Sequence, residues 1–194
     1  MTKDFLATNS YFIDEKVNFL KFENCYLIYD NSGNSIGSIN QKVPLSQKIL
    51  RLLLNKKMLP FRLEIRDSNK HLLSSINRGW TFFMSTIIIR DSNNVVIGSI
   101  KQKFKFFKPT FQIFDTSNKL VAIITGDWKA WSFIIKDASD NQIGTINKKW
   151  AGAMKEIFTT ADKYNVNIEA GFTNDIAKLA ILSSAITIDM ILKE

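Results

Sequence analysis

A lysine-rich stretch at residues 100–109, IKQKFKFFKP, carries the side chains best suited to bind an anionic surface. Successive side chains of a strand point to opposite faces, so Lys101, Lys103 and Lys105 would share one face and phenylalanines the other. Each basic residue near an anionic leaflet contributes about 1 kcal/mol to membrane binding. The pattern also fits a strand whose lysine-rich solvent face discourages edge pairing, and the two interpretations are compatible. We predict phospholipid headgroup binding at these three lysines and at Lys108.

A second basic group, Lys148 and Lys149, directly precedes Trp150. Indole rings favour the headgroup level of bilayers, although a tryptophan at the rim of a core is equally ordinary. We therefore add Lys148 and Lys149 to the predicted headgroup site and Trp150 to the predicted membrane contacts.

Residues 44–59, PLSQKILRLLLNKKML, form an amphipathic insertion. Ile49, Leu52 and Leu53 recur at helical spacing among basic residues, as in a helix that lies in a membrane interface. These three residues are predicted membrane contacts. A short helix that closes one end of a barrel would show the same pattern, so both interpretations stay open.

Catalytic chemistry is not indicated. The sequence has no glycine-rich phosphate loop, no Gly-x-Ser-x-Gly and no His-Glu-x-x-His. His71 is the one histidine and lies in a polar stretch, which favours an exposed turn, while Cys25 lies in an alternating apolar run, which favours packing. One histidine and one cysteine do not make a zinc-type site. We expect no enzyme, no cofactor and no small-molecule substrate.

The formal net charge of +8 over 194 residues favours anionic partners, either nucleic acid or an acidic membrane surface. The length suits one domain, residues 1–194, with a lead-in at 1–21. The N-terminus shows no secretory signal and the single cysteine allows no internal disulfide, so we expect a cytoplasmic location.

A repeated sequence unit predicts the elements that position these residues. Counted from an aspartate, each copy has isoleucine two residues earlier, an apolar residue four earlier, a small residue seven later and isoleucine nine later. Apolar alternation on both sides of a polar patch predicts a β-hairpin with a four-residue loop. The isoleucine before the aspartate should face the small residue, and the aspartate should cap the turn. The five aspartates are Asp30, Asp67, Asp91, Asp115 and Asp137.

Five hairpins supply about ten strands, too many for a flat open sheet, so we predict closure into a barrel. The small residues indicate that something passes close to the inner wall. Residues 173–193 are apolar on almost every face, with Thr173 or Asn174 as N-cap, and predict a helix inside the barrel. Ile176 to Leu192 would be about 25 Å long, marginal for a bilayer core of about 30 Å. The β-branched run at 186–188 could also be a strand.

The stretch IGTINKKWAGAMKEIFTTADKYNV at 143–166 and the terminal ITIDMILKE resemble the phospholipid scramblase family of the tubby-like superfamily. The earlier hairpins align in order, so the resemblance extends from about residue 22 to the end. It implies a mainly β fold, a closed antiparallel barrel of about twelve strands around a central C-terminal helix. It also implies transbilayer scrambling of phospholipids.

The calcium segment of the family corresponds here to TADKYNVNIEAG at 160–171. Thr160 and Gly171 stand where the family has carboxylates, and Asp162 alone keeps one. Since calcium takes six to eight oxygen ligands, we expect no calcium site and leave Asp162 as a weak candidate.

The function that these observations favour is binding of anionic phospholipids at the inner face of the plasma membrane, with scrambling implied by the resemblance. Nucleic-acid binding through the same basic surface is the alternative, and a protein-interaction domain is a third. The sequence does not predict the lipid or the oligomeric state.

Overall fold

The computed structural model describes residues 2–16, 25–44, 59–80, 86–105, 108–127, 129–148 and 163–193. Their secondary structure comprises two helices and twelve strands: α1 Thr2–Ala7, β1 Ser10–Lys16, β2 Cys25–Tyr29, β3 Ser35–Lys42, β4 Phe61–Asp67, β5 Leu72–Arg78, β6 Thr86–Asp91, β7 Val96–Lys105, β8 Lys108–Phe114, β9 Leu120–Asp127, β10 Ser132–Asp137, β11 Gln142–Asn147, β12 Lys163–Ile168 and α2 Asp175–Lys193. The strands form one closed antiparallel barrel in which neighbours in sequence are neighbours in space, and β1 closes it on β12. The predicted barrel is confirmed.

All five predicted hairpin registers are present. The isoleucine two residues before each aspartate faces the small residue seven after it, as Ile28 faces Gly37 and Ile135 faces Gly144. The equivalent pairs in the other three hairpins are Ile65 with Ser74, Ile89 with Gly98, and Ile113 with Ala122. Alternate positions on these strands are buried, because one face of every strand lines the interior.

The turns are shorter than the predicted four residues. In the first, the amide of Asp30 donates to the carbonyl of Asn34 and the amide of Gly33 donates to the carbonyl of Asp30, so three residues are enclosed. Gly33 has φ 82°, the left-handed conformation that closes a type I turn with a bulge. The third residue after the aspartate has positive φ in the other four turns also: Lys70, Asn94, Asn118 and Asp140. The ladder consequently slips by one residue after each isoleucine.

The small residues have a different cause from the one predicted. A Cβ on Gly37, Gly98 or Gly144 would lie 2.3–2.7 Å from a backbone carbonyl oxygen of the neighbouring strand, not against the central helix. At the equivalent position Ser74 instead donates a hydrogen bond of 2.9 Å to the carbonyl of Arg90. The repeat therefore keeps this position small because adjacent strands approach closely beside the bulge.

Helix α2 occupies the interior of the barrel, as predicted. The side chain of Asn174 accepts a hydrogen bond from the amide of Ala177 and so caps the helix. Every residue from Ala177 to Met190 is buried, and these side chains pack against the isoleucines of the wall. Residues 186–188, for which a strand was the alternative, are helical because the barrel supplies apolar neighbours on all sides.

Residues 1–21, set apart in the sequence as a lead-in, contain α1 and β1. Phe5 and Leu6 of α1 are buried, and the hydroxyl of Tyr11 donates to the carbonyl of Phe5. The first strand completes the barrel, and α1 packs beside the start of α2.

The barrel has two chemically different ends. The five aspartate turns lie at one end, called here the turn end, where α2 also begins. The opposite end, called the far end, is where β1 leads to β2, β3 to β4, β5 to β6, β7 to β8, β9 to β10 and β11 to β12. The outward strand faces and these two ends hold the candidate functional side chains.

Candidate anion-binding surface

Lys101 and Lys103 of β7 share the outward face, as their alternation predicts. Lys103 is exposed, Lys101 is half-buried, and Gln102 between them faces the interior and is buried. Lys105 pairs in register with Lys108 where β7 passes to β8, which brings both backbones to the far end. The sequence therefore placed these four residues on one hairpin.

Lys101 is directed away from the rest of that group. Its ammonium group donates a hydrogen bond of 3.0 Å to Oδ1 of Asn118, in the turn between β8 and β9. It also lies 4.5 Å from the centre of the Phe114 ring. Both partners hold the charge toward the turn end, so Lys101 does not join Lys103 in one anion site.

Lys148 lies at the far end, beyond the end of β11. Its ammonium group is 4.8 Å from the centre of the Trp131 ring, a cation–π contact, and Trp131 in turn packs against Tyr164 at 5.5 Å. Three strands separate β11 from β7 around the barrel. Lys148 and Lys103 therefore share an end of the barrel and not a single pocket.

Lys149, Trp150, Ile49, Leu52, Leu53 and Asp162 lie outside the described residues, as does most of the insertion at 44–59. Their predicted roles remain predictions.

A basic cluster on β3 and β4 was missed in the sequence. The outward side chains of β4 alternate as Arg62, Glu64 and Arg66, and Lys42 of β3 pairs in register with Arg62. Oxygens of Glu64 lie 2.8 Å from Arg66, 3.6 Å from Arg62 and 4.0 Å from Lys42. The Arg-x-Glu-x-Arg alternation along β4 was the signal in the sequence that could have revealed this cluster. The approach of Lys42 depends on the register between β3 and β4, which the hairpin repeat does not determine.

An exposed tryptophan also marks the far end. Trp80 follows β5, next to β4, and is 56% exposed. Exposed or half-buried cations at this end are Lys42, Arg62, Lys103, Lys129 and Lys148. By the same criterion, the acids among the side chains described there are Asp127, which is exposed, and Glu15, which is half-buried. At the turn end acids and bases mix, and Arg66, Arg90, Lys136 and Lys101 each contact a turn acceptor.

The turn aspartates have a structural role, as predicted. In four of the turns one carboxylate oxygen accepts hydrogen bonds from the amides two and four residues later, as Asp91 does from Asn93 and Val95 at 2.9 Å. For Asp137 the side-chain hydrogen bond from Asn141, together with backbone donors, lowers the pKa of the carboxyl below 3.8. Their carboxylates are engaged by turn amides and are poorly placed to act on a ligand.

The two other candidate reactive groups are also accounted for locally. His71 is exposed in the second turn, and its Nδ1 lies 3.1 Å from a carboxylate oxygen of Asp67. Cys25 is half-buried, and its thiol donates a hydrogen bond of 3.3 Å to Oδ1 of Asn40. Over the described ranges, no group of three or more His, Cys, Asp and Glu is placed to hold a metal ion. No helix in the described part of the chain has the length and hydropathy to cross a bilayer.

Comparison with known proteins gives two matches. A crystal structure of a protein from Arabidopsis thaliana superposes with a TM-score of 0.52 at 12% sequence identity, covering 95% of both chains, which shows a common fold. No curated protein sequence matches this chain. A family model described as Scramblase matches residues 12–193, nearly the whole length, beginning within β1 and ending with α2. The chain therefore belongs to the scramblase family.

Proposed function

We propose that this protein binds anionic phospholipid headgroups at a membrane surface, with the far end of its barrel toward the bilayer. The observation that carries the proposal is the charge distribution at that end, where the described side chains include five exposed or half-buried cations and only two such acids, Asp127 and Glu15. Trp80 lies at the same end with more than half of its surface in solvent, and indole favours the headgroup level.

The expected affinity is modest. At about 1 kcal/mol for each basic residue near an anionic leaflet, five cations contribute at most about 5 kcal/mol, and Asp127 and Glu15 reduce this, so the dissociation constant is roughly 0.2 mM or weaker. Such binding is reversible and weakens as salt screens the charges. It fits a cytoplasmic protein that associates with the anionic inner face of the plasma membrane.

Membership of the scramblase family extends the proposal to transbilayer movement of phospholipids, which is a separate activity. Helix α2 fills the interior of the barrel. If it crossed a bilayer instead, it would lose its contacts with the isoleucines of the wall. Headgroup binding at the surface needs no such rearrangement. Scrambling is tested with fluorescent phospholipid in proteoliposomes, and a rate equal to that of protein-free vesicles would contradict it.

Headgroup binding is tested by co-sedimentation with phosphatidylserine vesicles and with neutral phosphatidylcholine vesicles over a range of salt. We expect salt-sensitive binding to the anionic vesicles alone. A Lys103→Gln/Lys129→Gln variant removes two exposed far-end charges and should bind about 25-fold more weakly, at about fivefold for each. The matched control, Lys70→Gln/Lys119→Gln, removes two exposed charges from the turn end and should bind as the parent does.

The outcome that rejects the proposal is an absence of salt-sensitive vesicle binding, or equal losses in the two double variants. A mobility-shift titration with nucleic acid discriminates the alternative. Binding with a steep salt dependence, in the absence of vesicle binding, would assign the surface to nucleic acid. A lack of signal in both assays would favour a protein-interaction domain.

A further inference from the structure

The cluster formed by Lys42, Arg62, Glu64 and Arg66 has an excess of positive charge arranged around one anion. Glu64 is central, with only 10% of its side chain exposed, whereas Lys42, Arg62 and Arg66 are 57%, 46% and 32% exposed. Its carboxylate is thus covered by three cations that themselves remain accessible to solvent.

The three cations differ in how far protein acceptors satisfy them. Arg66 donates to Glu64 at 2.8 Å and to the carbonyl of Lys70 at 2.7 Å. Arg62 and Lys42 approach Glu64 at 3.6 Å and 4.0 Å, too far for hydrogen bonds, and no other acceptor within the described residues contacts them. Their donors are available to an exogenous anion on the outward side of Glu64.

Charge balance selects the class of anion. Three cations and one carboxylate leave a net charge of +2. A phosphate monoester carries about −1.5 to −2 at pH 7, whereas a phosphodiester carries about −1. The planar guanidinium of Arg62 can donate two parallel hydrogen bonds to one phosphate, and Lys42 adds a point charge beside it.

We infer that Lys42 and Arg62 form a binding site for a phosphate monoester, beside Glu64, whose negative charge Arg66 offsets. Lys42 and Arg62 lie at the far end, and Trp80 follows the adjacent strand, so a monoester headgroup that protrudes from a bilayer is a suitable ligand. As a lipid site it rests on the proposed function; a soluble phosphate monoester would satisfy the same chemistry.

The experiment compares phosphatidic acid, a lipid monoester, with phosphatidylserine, a lipid diester, in vesicles of matched surface charge. Soluble glycerol 3-phosphate is the second probe and is titrated directly. The test variant is Lys42→Gln/Arg62→Gln, which removes the two cations that make no hydrogen bond to Glu64. The control is Lys70→Gln/Lys119→Gln, with equal charge change at the turn end, and thermal unfolding confirms that both variants are folded.

We expect the parent protein to prefer phosphatidic acid, and the Lys42→Gln/Arg62→Gln variant to bind it about 25-fold more weakly, at about fivefold for each cation removed. The control should keep the preference. The Arg62→Lys variant should lose part of the preference for phosphatidic acid, since lysine keeps the positive charge but cannot donate two parallel hydrogen bonds to one phosphate.

The inference fails if the parent binds both lipids equally, or if the test variant loses affinity for both lipids in equal proportion. The proposed binding of anionic vesicles by the far end would not be contradicted by either of these results. If glycerol 3-phosphate binds and is lost in the test variant while no vesicles bind, the monoester site stands, its ligand is soluble, and the proposed membrane function fails.

Discussion

The hydroxyl of Tyr26 in β2 donates a hydrogen bond of 3.0 Å to Oδ2 of Asp189 in α2, and both residues are fully buried. Burial first, and the nearby Asp189 carboxylate second, raise the pKa of Tyr26 well above its ordinary value, so it keeps its proton and remains a donor. At the other end of the helix Lys178 donates to the carbonyl of Leu6 and to Asn9. Because an apolar helix could slide along an apolar wall, we infer that the hydrogen bond between Tyr26 and Asp189 fixes its depth in the barrel, whereas Lys178 holds the N-terminal segment against the helix.

Replacement of Tyr26 by phenylalanine should destabilise the fold by about 1–3 kcal/mol, because the buried carboxylate of Asp189 loses a donor. The measurement is the free energy of unfolding in urea. Tyr164→Phe is the matched control, since Tyr164 is equally buried but its hydroxyl has no hydrogen-bond partner among the described residues. That variant should be neutral or slightly more stable. Equal losses in the two variants would contradict a specific role of the Tyr26 hydrogen bond.

Replacement of Lys178 by methionine should loosen the N-terminal segment while α2 stays in place. Methionine preserves the buried length of the side chain but donates no hydrogen bond to Leu6 or Asn9. We expect faster amide hydrogen exchange in residues 2–9, with little change in the amides of β6 to β11. Unchanged exchange in residues 2–9 would mean that the burial of Phe5 and Leu6 and the Tyr11 hydrogen bond hold the segment without Lys178.

The hairpins were predictable from the sequence because everything that sets them is local. Period-2 alternation and a fixed distance from each aspartate determine which isoleucine faces which small residue, and no distant contact enters. Strand β1 was not predicted, because its sequence SYFIDEK lies outside the five repeated hairpins and carries the acidic residues Asp14 and Glu15. The position of Lys101 was also not predictable, because its preference for Asn118 and Phe114 depends on side-chain direction and not on alternation.

The cluster around Glu64 was only half visible in the sequence. Alternation along β4 brings Arg62 and Arg66 to the same face as Glu64, and that could have been read directly. The third cation, Lys42, comes from β3 through a pairing whose connection spans residues 43–60 and has none of the repeat's spacing. Registers across such connections follow from closure of the whole barrel, which no local pattern encodes.

Replacement of Gly144 by alanine should destabilise the protein by about 1–3 kcal/mol through overpacking. The new Cβ would lie 2.3 Å from the carbonyl oxygen of Asn167 in β12, so one of the two strands must shift. Gly79→Ala is the control, because a Cβ there meets no atom of the described residues within 4 Å. Thermal unfolding of the two variants provides the comparison. Should Gly144→Ala melt at the same temperature as Gly79→Ala, the close approach of β11 and β12 would be incorrect.

The turn aspartates should make the stability of the barrel depend on pH in the acid range. For Asp30 and Asp67 burial alone would raise the pKa, but hydrogen bonds from the turn outweigh it and lower the pKa below 3.8, and the pKa of Asp137 is lowered also. A carboxyl with a lowered folded pKa stabilises fully above its unfolded pKa. The contribution is lost as the pH falls through the folded pKa, since the unfolded chain then binds more protons.

The variant that isolates this effect is Asp30→Asn/Asp67→Asn/Asp137→Asn, whose side chains can still accept the turn hydrogen bonds through oxygen but do not titrate. Unfolding free energies measured in urea from about pH 5 down to about pH 2 should fall steeply for the parent and less steeply for the variant. At pH 7 the variant should be less stable, because neutral acceptors bind the turn amides more weakly than carboxylates do. Parallel pH profiles would mean that the acid sensitivity does not come from these three turn aspartates.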